Sequence, residues 1–490
     1  MKKTAIVFAL VAGLGIGLVG SALAGLDFGL DEQNLLNSKP LPLFGVTKPI
    51  AASSKASISA ATAEADPTAL VTLANGLSAR VVTAAANAGP NIDMMALWPN
   101  DTNPTWLIAC NEQGAAQPAL QRIRISDGLV ETIVASGLVS CDPAHRTPWG
   151  TIVFAEENGT SGRLFELIDP LTTTGVAISA ATTTPATVTC PPSPPACEGT
   201  GNIVERTAVG RLSFEGIGIT PNGVMYYGDE NRPLNGTPGG AYFKFIPACA
   251  PTATCPVGSL PGANNEAKLA ASPFASAGSI YGLRLGKRSG NTDYGQGTQT
   301  GRGTWIPEAG AAPINLRGAV ATQFLTGYYR PEDLEFDFEA IANGDVRFCA
   351  NNTGNEGDDR NYGETICVTD GTLAQAANTA TLSIPEVQYS VLGNPQFAMM
   401  DNIAYQPGRG NWVIHEDGDQ LQGNNDLFDC LPDGADDNLL SDGCVRIGTE
   451  NDLSAEWTGG VFDATGTRFF VSVQHNVTEH GVVLEITGWK

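Results

Sequence analysis

The stretch from Ile217 to Glu230, IGITPNGVMYYGDE, decides the reading of the fold. A short apolar run with β-branched residues stops at Pro221-Asn222-Gly223, and a second apolar and aromatic run follows and ends on the acidic pair Asp229-Glu230. Two such runs on either side of a Pro/Asn/Gly turn read as a β-hairpin. The unit recurs. Asn402 to Asp417 is NIAYQPGRGNWVIHED and Val461 to His475 is VFDATGTRFFVSVQH, while Leu334 to Asn351, Trp98 to Glu112 and Thr147 to Glu157 fit the same form. Hairpins repeating at intervals of tens of residues, with insertions of variable length, predict an all-β fold, a β-propeller of about six blades. The Pro-, Gly-, Thr- and Ala-rich segments near Thr172 to Gly201 and Cys249 to Gly310 are then loop insertions at the surface.

Outward from the repeats, the beginning of the chain has a different composition. Lys2-Lys3, the apolar run from Ala5 to Gly20 and the Ala22-Leu23-Ala24 pattern read as a cleaved signal peptide over residues 1–24. The Lys pair, with no Cys after the cleavage site, predicts general export of a soluble protein to the periplasm or the outside. Residues 25–66, which include Ala51-Ala52-Ser53-Ser54, read as a flexible N-terminal arm, and 67–490 as the propeller domain. No later apolar stretch is long enough to span a bilayer. Ten cysteines, with no Cys-x-x-Cys pair, predict disulfides in an oxidising compartment. Their connectivity is open, and pairing each with its neighbour would staple five loops.

Charge narrows the partners. Lys and Arg number 27 against 51 Asp and Glu, a formal net charge of −24, which disfavours nucleic acid and acidic membrane surfaces. Such carboxylates either keep the protein soluble or hold hard cations, which take oxygen ligands. One regularity favours the second use. The second strands of the repeats end in Asn111-Glu112, Glu156-Glu157, Asp229-Glu230, Asn351-Asn352, Glu416-Asp417 and Gln474-His475. In a propeller, equivalent strand ends reach one rim, where converging carboxylates repel unless protonated or bridged by cations such as Ca²⁺. No Gly-x-Ser-x-Gly elbow, His-Glu-x-x-His helix or Walker loop is present, and four histidines make a His-rich zinc centre a poor fit. The acidic run from Asp417 to Asp442 lacks the EF-hand frame, leaving an acidic calcium loop or a solvated loop.

Particular strings resemble the PhoX-type alkaline phosphatases. Trp149-Gly150-Thr151 running to Glu156-Glu157-Asn158 is similar to that family's W-G-T…C-E-E-N segment, and Phe214-Glu215 followed by Tyr227-Gly228-Asp229-Glu230 to its H-E…Y-x-D-D. Arg330-Pro331-Glu332-Asp333 resembles its R-P-E-D. Asp401-Asn402…Asp417-Gly418 resembles its D-N…D-G, and Glu456-x-Thr458-Gly459…Gln474-His475 its E-x-T-G…Q-H-P-G. The resemblance implies a propeller in which acidic residues hold calcium and iron, with Glu156, Glu215, Glu332, Asp417 and Glu456 as metal ligands and Arg330 against phosphate. It implies a phosphate ester of a small molecule as substrate, hydrolysed with metal assistance. Three positions depart from the family: Ala155 stands where the family has its iron-ligating cysteine, Phe214 replaces the His before Glu215, and Asn476 replaces the Pro after His475. The Lys-Lys leader also differs from the twin-arginine export typical of the family. These departures point away from iron and leave Ca²⁺ as the expected cofactor. Two readings stay open: a secreted metal-dependent phosphomonoesterase with an altered, calcium-only centre, or a non-catalytic calcium-stabilised propeller acting as a binding or surface module. A third, another calcium-propeller hydrolase such as a lactonase or phytase, is not chosen or excluded by the fold.

Overall fold

Each of six strands, Ile92–Trp98, Cys141–Arg146, Phe214–Ile219, Pro331–Phe336, Met400–Tyr405 and Glu456–Phe462, opens an antiparallel meander, and each packs against the next. The sixth packs against the first, so these inner strands close a ring around one axis. The computed structural model describes residues 28–179, 188–192, 197–233, 238–252, 255–276, 278–286, 299–355, 361–418, 423–434 and 439–490. The signal peptide expected over 1–24 lies outside these residues, as do parts of the loop insertions and of the Asp417 to Asp442 run.

The all-β propeller is present, with one difference in its division into sheets. Hydrogen bonding gives five sheets, because the strand Gly301–Glu308 pairs along its length with Ser279–Leu285 and then, through Gly301 and Arg302, with Glu386–Leu392. That long strand joins the third and fourth meanders into one nine-stranded sheet. The other four sheets each hold one meander.

The N-terminal region closes the ring. The strand Ser78–Thr83 is the outermost strand of the sixth blade, with Ser78 opposite Thr487 and Val81 opposite Leu484. Val71–Leu73 adds to the edge of the fifth blade beside Cys444–Glu450. The flexible arm expected over 25–66 is docked instead from Leu36 onward. Leu36, Phe44 and Val46 are buried in the cluster that contains Trp457, Phe469 and Trp489, and Ser53 donates to the Asn424 carbonyl at 2.7 Å. Few as they are, these apolar anchors offset the entropy of ordering an Ala/Ser-rich segment.

All ten cysteines are paired with their sequence neighbours: Cys110–Cys141, Cys190–Cys197, Cys249–Cys255, Cys349–Cys367 and Cys430–Cys444. Three of these do more than close loops. Cys110–Cys141 ties the first blade to the inner strand of the second, while Cys349–Cys367 and Cys430–Cys444 join facing residues on adjacent strands. Trp149, Trp412 and Trp457 are buried in the apolar clusters, as expected of packing residues.

Candidate metal centre

Every inner strand carries a bulge where its pairing with the second strand slips. A bulge re-aims side chains and interrupts the alternation of faces. In five blades the first bulged residue is an acid, namely Asp93, Asp142, Glu215, Glu332 and Asp401, and all five line one cavity on the axis. In the sixth blade the equivalent residue is Gly459, where a Cβ would collide with the Asp93 carbonyl oxygen. There the acid comes from Glu456, at the head of the strand.

A second tier comes from the ends of the second strands, and the acidic pairs divide their labour. The first member clamps backbone. Asn111 accepts from the Asn91 N–H at 3.0 Å, Glu156 from Val139 at 2.9 Å, Asp229 from Ser213 at 3.1 Å and Glu416 from Ala398 at 2.7 Å. The next residue turns toward the axis, so Glu112, Glu157 and Asp417 line the cavity. Glu156, expected as a ligand, does not line the cavity, whereas the adjacent Glu157 does. The Glu156 carboxylate is 1% exposed and saturated by Val139 and by the backbone and guanidinium of Arg163, at 2.7 to 3.2 Å. A shift of one residue in a strand moves a side chain to the other face. In the fourth blade the pair lies one residue further on, at Asn352-Thr353, because Asn352 and not Asn351 sits opposite Pro331.

The cavity holds about 260 Å³, and its lining has nine carboxylates, one arginine, Gln474 and His475. The other expected residues, Glu215, Glu332, Asp417, Glu456 and Arg330, are all brought together there. Asp93, Asp142, Asp401 and Glu112 were not among the expected ligands. The signal that marks the first three is an apolar–acid pair at the head of each first strand: Ile92-Asp93, Cys141-Asp142 and Met400-Asp401, matching Phe214-Glu215 and Pro331-Glu332.

Proton affinity records the crowding. Burial first, then Glu230 and Asp142, pushes Glu157 up to about 10. Burial pushes Glu332 up to about 7 although Arg330 pulls the other way. Asp93, Asp142, Glu215, Asp401 and Asp417 are likewise raised well above the usual carboxylate range, by burial and then by one another. Asp142 and Glu215 share a hydrogen bond, as do Asp417 and Glu456. Like charges this close cannot all ionise without counter-cations.

Asp142, Glu157 and Glu215 each offer a carboxylate oxygen within 4.8 Å of the others. One oxygen of Asp93 and one of Asp142 are buried without a hydrogen-bond partner. Orphaned buried acceptors are costly, and cations would satisfy them. The donor set fits a hard metal ion: it is oxygen throughout apart from His475, which sits at the rim with its Nε2 3.2 Å from Glu456. No free cysteine is present among the described residues. Ala155 is fully buried in the same apolar cluster as Phe214, which stacks on Tyr227 at 5.8 Å between ring centroids, and neither side chain lines the cavity.

Arg330 is the one cation with a fixed seat in the lining. Its Nε lies 2.8 Å from Glu230 and 3.0 Å from Glu332, and its Nη2 lies 3.8 Å from Asp417. Burial opposes its charge, but Glu332, Asp417 and Glu230 outweigh this and raise the guanidinium well above its ordinary value. Glu230 is shared with Arg317, whose Nη2 is 3.6 Å away.

A family model described as alkaline phosphatase PhoX matches residues 122–476. The chain belongs to the PhoX alkaline phosphatase family. Among solved structures, Pseudomonas fluorescens PhoX in complex with vanadate, a transition-state analogue, is similar at 16% identity with a TM-score of 0.56, over 89% of this chain and 98% of that one. A gluconolactonase from Xanthomonas campestris is similar at 11% identity with a TM-score of 0.41, over 90% of this chain and 96% of that one. No curated protein matches the sequence. PhoX family membership carries metal dependence and phosphate-ester chemistry as the expectation for the acidic cavity.

Proposed function

We propose that this PhoX family member is an exported, metal-dependent phosphomonoesterase whose centre is built on hard cations, calcium foremost, without an iron–thiolate half. The observation that carries the reading is Arg330 seated among nine carboxylates in one cavity. A phosphate dianion would be repelled by this lining alone, so cations must neutralise it first. Asp142, Glu157 and Glu215, whose oxygens lie within 4.8 Å of one another, would hold a cation, with Glu332, Asp401, Asp417 and Glu456 lining the same cavity. When bound, such ions neutralise phosphate oxygens and act as Lewis acids. Glu230 and Glu332 occupy the Nε of Arg330 and thereby fix the plane of its guanidinium. Its Nη edge is then the part that faces phosphate oxygens, a planar fork suited to two of them. The five disulfides and the lack, among the described residues, of a helix long and apolar enough to cross a membrane support the exported reading.

Elemental analysis of the purified protein, with p-nitrophenyl phosphate hydrolysis before and after chelation, tests the proposal. Stoichiometric calcium and turnover that is lost on chelation and in Arg330→Ala are expected. One specific observation favours a second reading, a calcium-stabilised binding module: Ala155 and Phe214, at the family's cysteine and histidine positions, are sealed in apolar packing. Bound calcium with no turnover of any phosphomonoester would establish that reading instead.

A further inference from the structure

Past the layer of bulges the axial channel changes character. A second cavity, of about 550 Å³, is lined by the downstream halves of the same inner strands, with Met95, Ile217, Ile403 and Phe462 among its walls. This volume lies in the range of roughly 300–1,000 Å³ in which small molecules are bound.

Among these apolar walls stand three carboxylates and one arginine. Asp101 is paired with Arg146 at 2.6 Å, and burial holds His145 down to about 4, leaving it neutral. Asp333 and Glu335 face the cavity with no cation among the described residues to balance them, and burial pushes Glu335 up to about 8, so it carries its full charge only above that pH or against a bound cation. Asp333 accepts only the Leu334 and Ile403 N–H groups, and Glu335 accepts the Phe336 N–H with one oxygen while its other oxygen has no partner among the described residues. Aromatic residues line the same cavity: Phe336, and Phe338 set perpendicular to Tyr405 at 5.6 Å.

A hydrated inorganic ion is a poor occupant, because two carboxylates among apolar side chains cannot replace the six to eight oxygens that a hard cation takes. An alkylated ammonium, by contrast, sheds little hydration and is attracted by aromatic faces as well as by carboxylates. We propose that this lower cavity is a binding site for an apolar organic cation, an aryl- or alkylammonium, with its charge against Glu335 and Asp333 and its apolar part along Ile217, Ile403 and Phe462. This site is independent of the phosphatase reading.

Isothermal titration of the full chain at about pH 9, above the value of about 8 to which burial pushes Glu335, and with calcium in excess, compares benzyltrimethylammonium with its uncharged isostere neopentylbenzene. The cation should bind one site at least about tenfold more tightly than the hydrocarbon. Glu335→Gln should remove that preference and leave hydrocarbon binding in place, whereas Glu215→Gln in the acidic cavity should change neither. Should Glu335→Gln fail to fold, Phe338→Ala at the rim serves, and it should weaken the cation more than the hydrocarbon. Absence of saturable binding, equal affinity for the two probes, or loss of cation binding in Glu215→Gln would overturn the proposal.

Discussion

Glu156 and Glu157 are chemically alike and adjacent, yet the fold gives them opposite work. Glu156 is saturated by Arg163 and two backbone N–H groups, whereas Glu157 meets Asp142 and Glu215 with no cation beside it. Glu157→Gln is thus expected to lower calcium stoichiometry and to cut turnover by about a hundredfold or more, in line with losing a group that positions transition-state charge stabilisation. Glu156→Gln should instead cost about 1–3 kcal/mol of stability by weakening a charge-assisted pair, with metal content retained. Denaturant unfolding and elemental analysis of both variants separate the two outcomes. Glu230 is a third case. It touches Arg330 at 2.8 Å and Arg317 at 3.6 Å without lining the cavity, so it positions Arg330. Glu230→Gln should raise KM for p-nitrophenyl phosphate about tenfold while calcium content stays unchanged, the mark of a lost substrate contact rather than a damaged centre.

At the scale of elements, the Trp149-Gly150-Thr151 string is a brace. The Glu166 carboxylate, on the neighbouring strand Leu164–Leu167, accepts from Trp149 Nε1 at 2.7 Å, Thr151 Oγ1 at 2.6 Å, Arg206 Nε at 2.7 Å and Ser272 Oγ at 2.7 Å. Arg206→Met would leave that carboxylate buried without its counter-ion, at a cost of about 3–5 kcal/mol measurable by denaturant unfolding. Turnover at low temperature should survive, because none of these groups reaches the acidic cavity. The same scale explains what the sequence discloses. Hairpins are legible because their runs and turns are local, and the acidic pairs at the second-strand ends are legible because they recur in register with those hairpins. Which member of each pair faces the axis is not legible, since one residue of register decides it and register is set across strands. Asp93 and Asp142 are hidden for a related reason, and Asp401, although it opens a string that resembles the family's, goes unread as a ligand with them: all three sit in bulges, and a bulge breaks the period-two pattern by which a strand announces its faces. Glu215 and Glu332 occupy the same place, and they were read only because their strings resemble the family's motifs.

For the whole molecule, buried acids tie stability to pH. Burial, opposed only in part by Asn411, pushes Asp429 up to about 8, and burial pushes Glu364 up to about 7 against the pull of Asn352. Groups whose proton affinity rises on folding stabilise the folded state below their unfolded pKa near 4, and that contribution is lost as pH rises through about 7–8. The calcium-depleted protein is accordingly expected to melt at lower temperature at pH 8.5 than at pH 5.5. Calcium should raise the melting temperature more at the higher pH, where protons no longer shield Glu332 and its neighbours. Scanning calorimetry at the two pH values, with and without calcium, checks both statements, and a melting temperature that climbs with pH in the absence of metal would contradict them. Ring closure adds a constraint of timing. The strand Ser78–Thr83, made early, has no partner until Val482–Thr487 has been made, and Glu456 joins the cavity from the last blade. The ring that brings the nine carboxylates around one axis therefore closes only after Val482–Thr487 has been made. A chain stalled short of Val482 carries all nine acids yet cannot latch the ring that holds them around one axis.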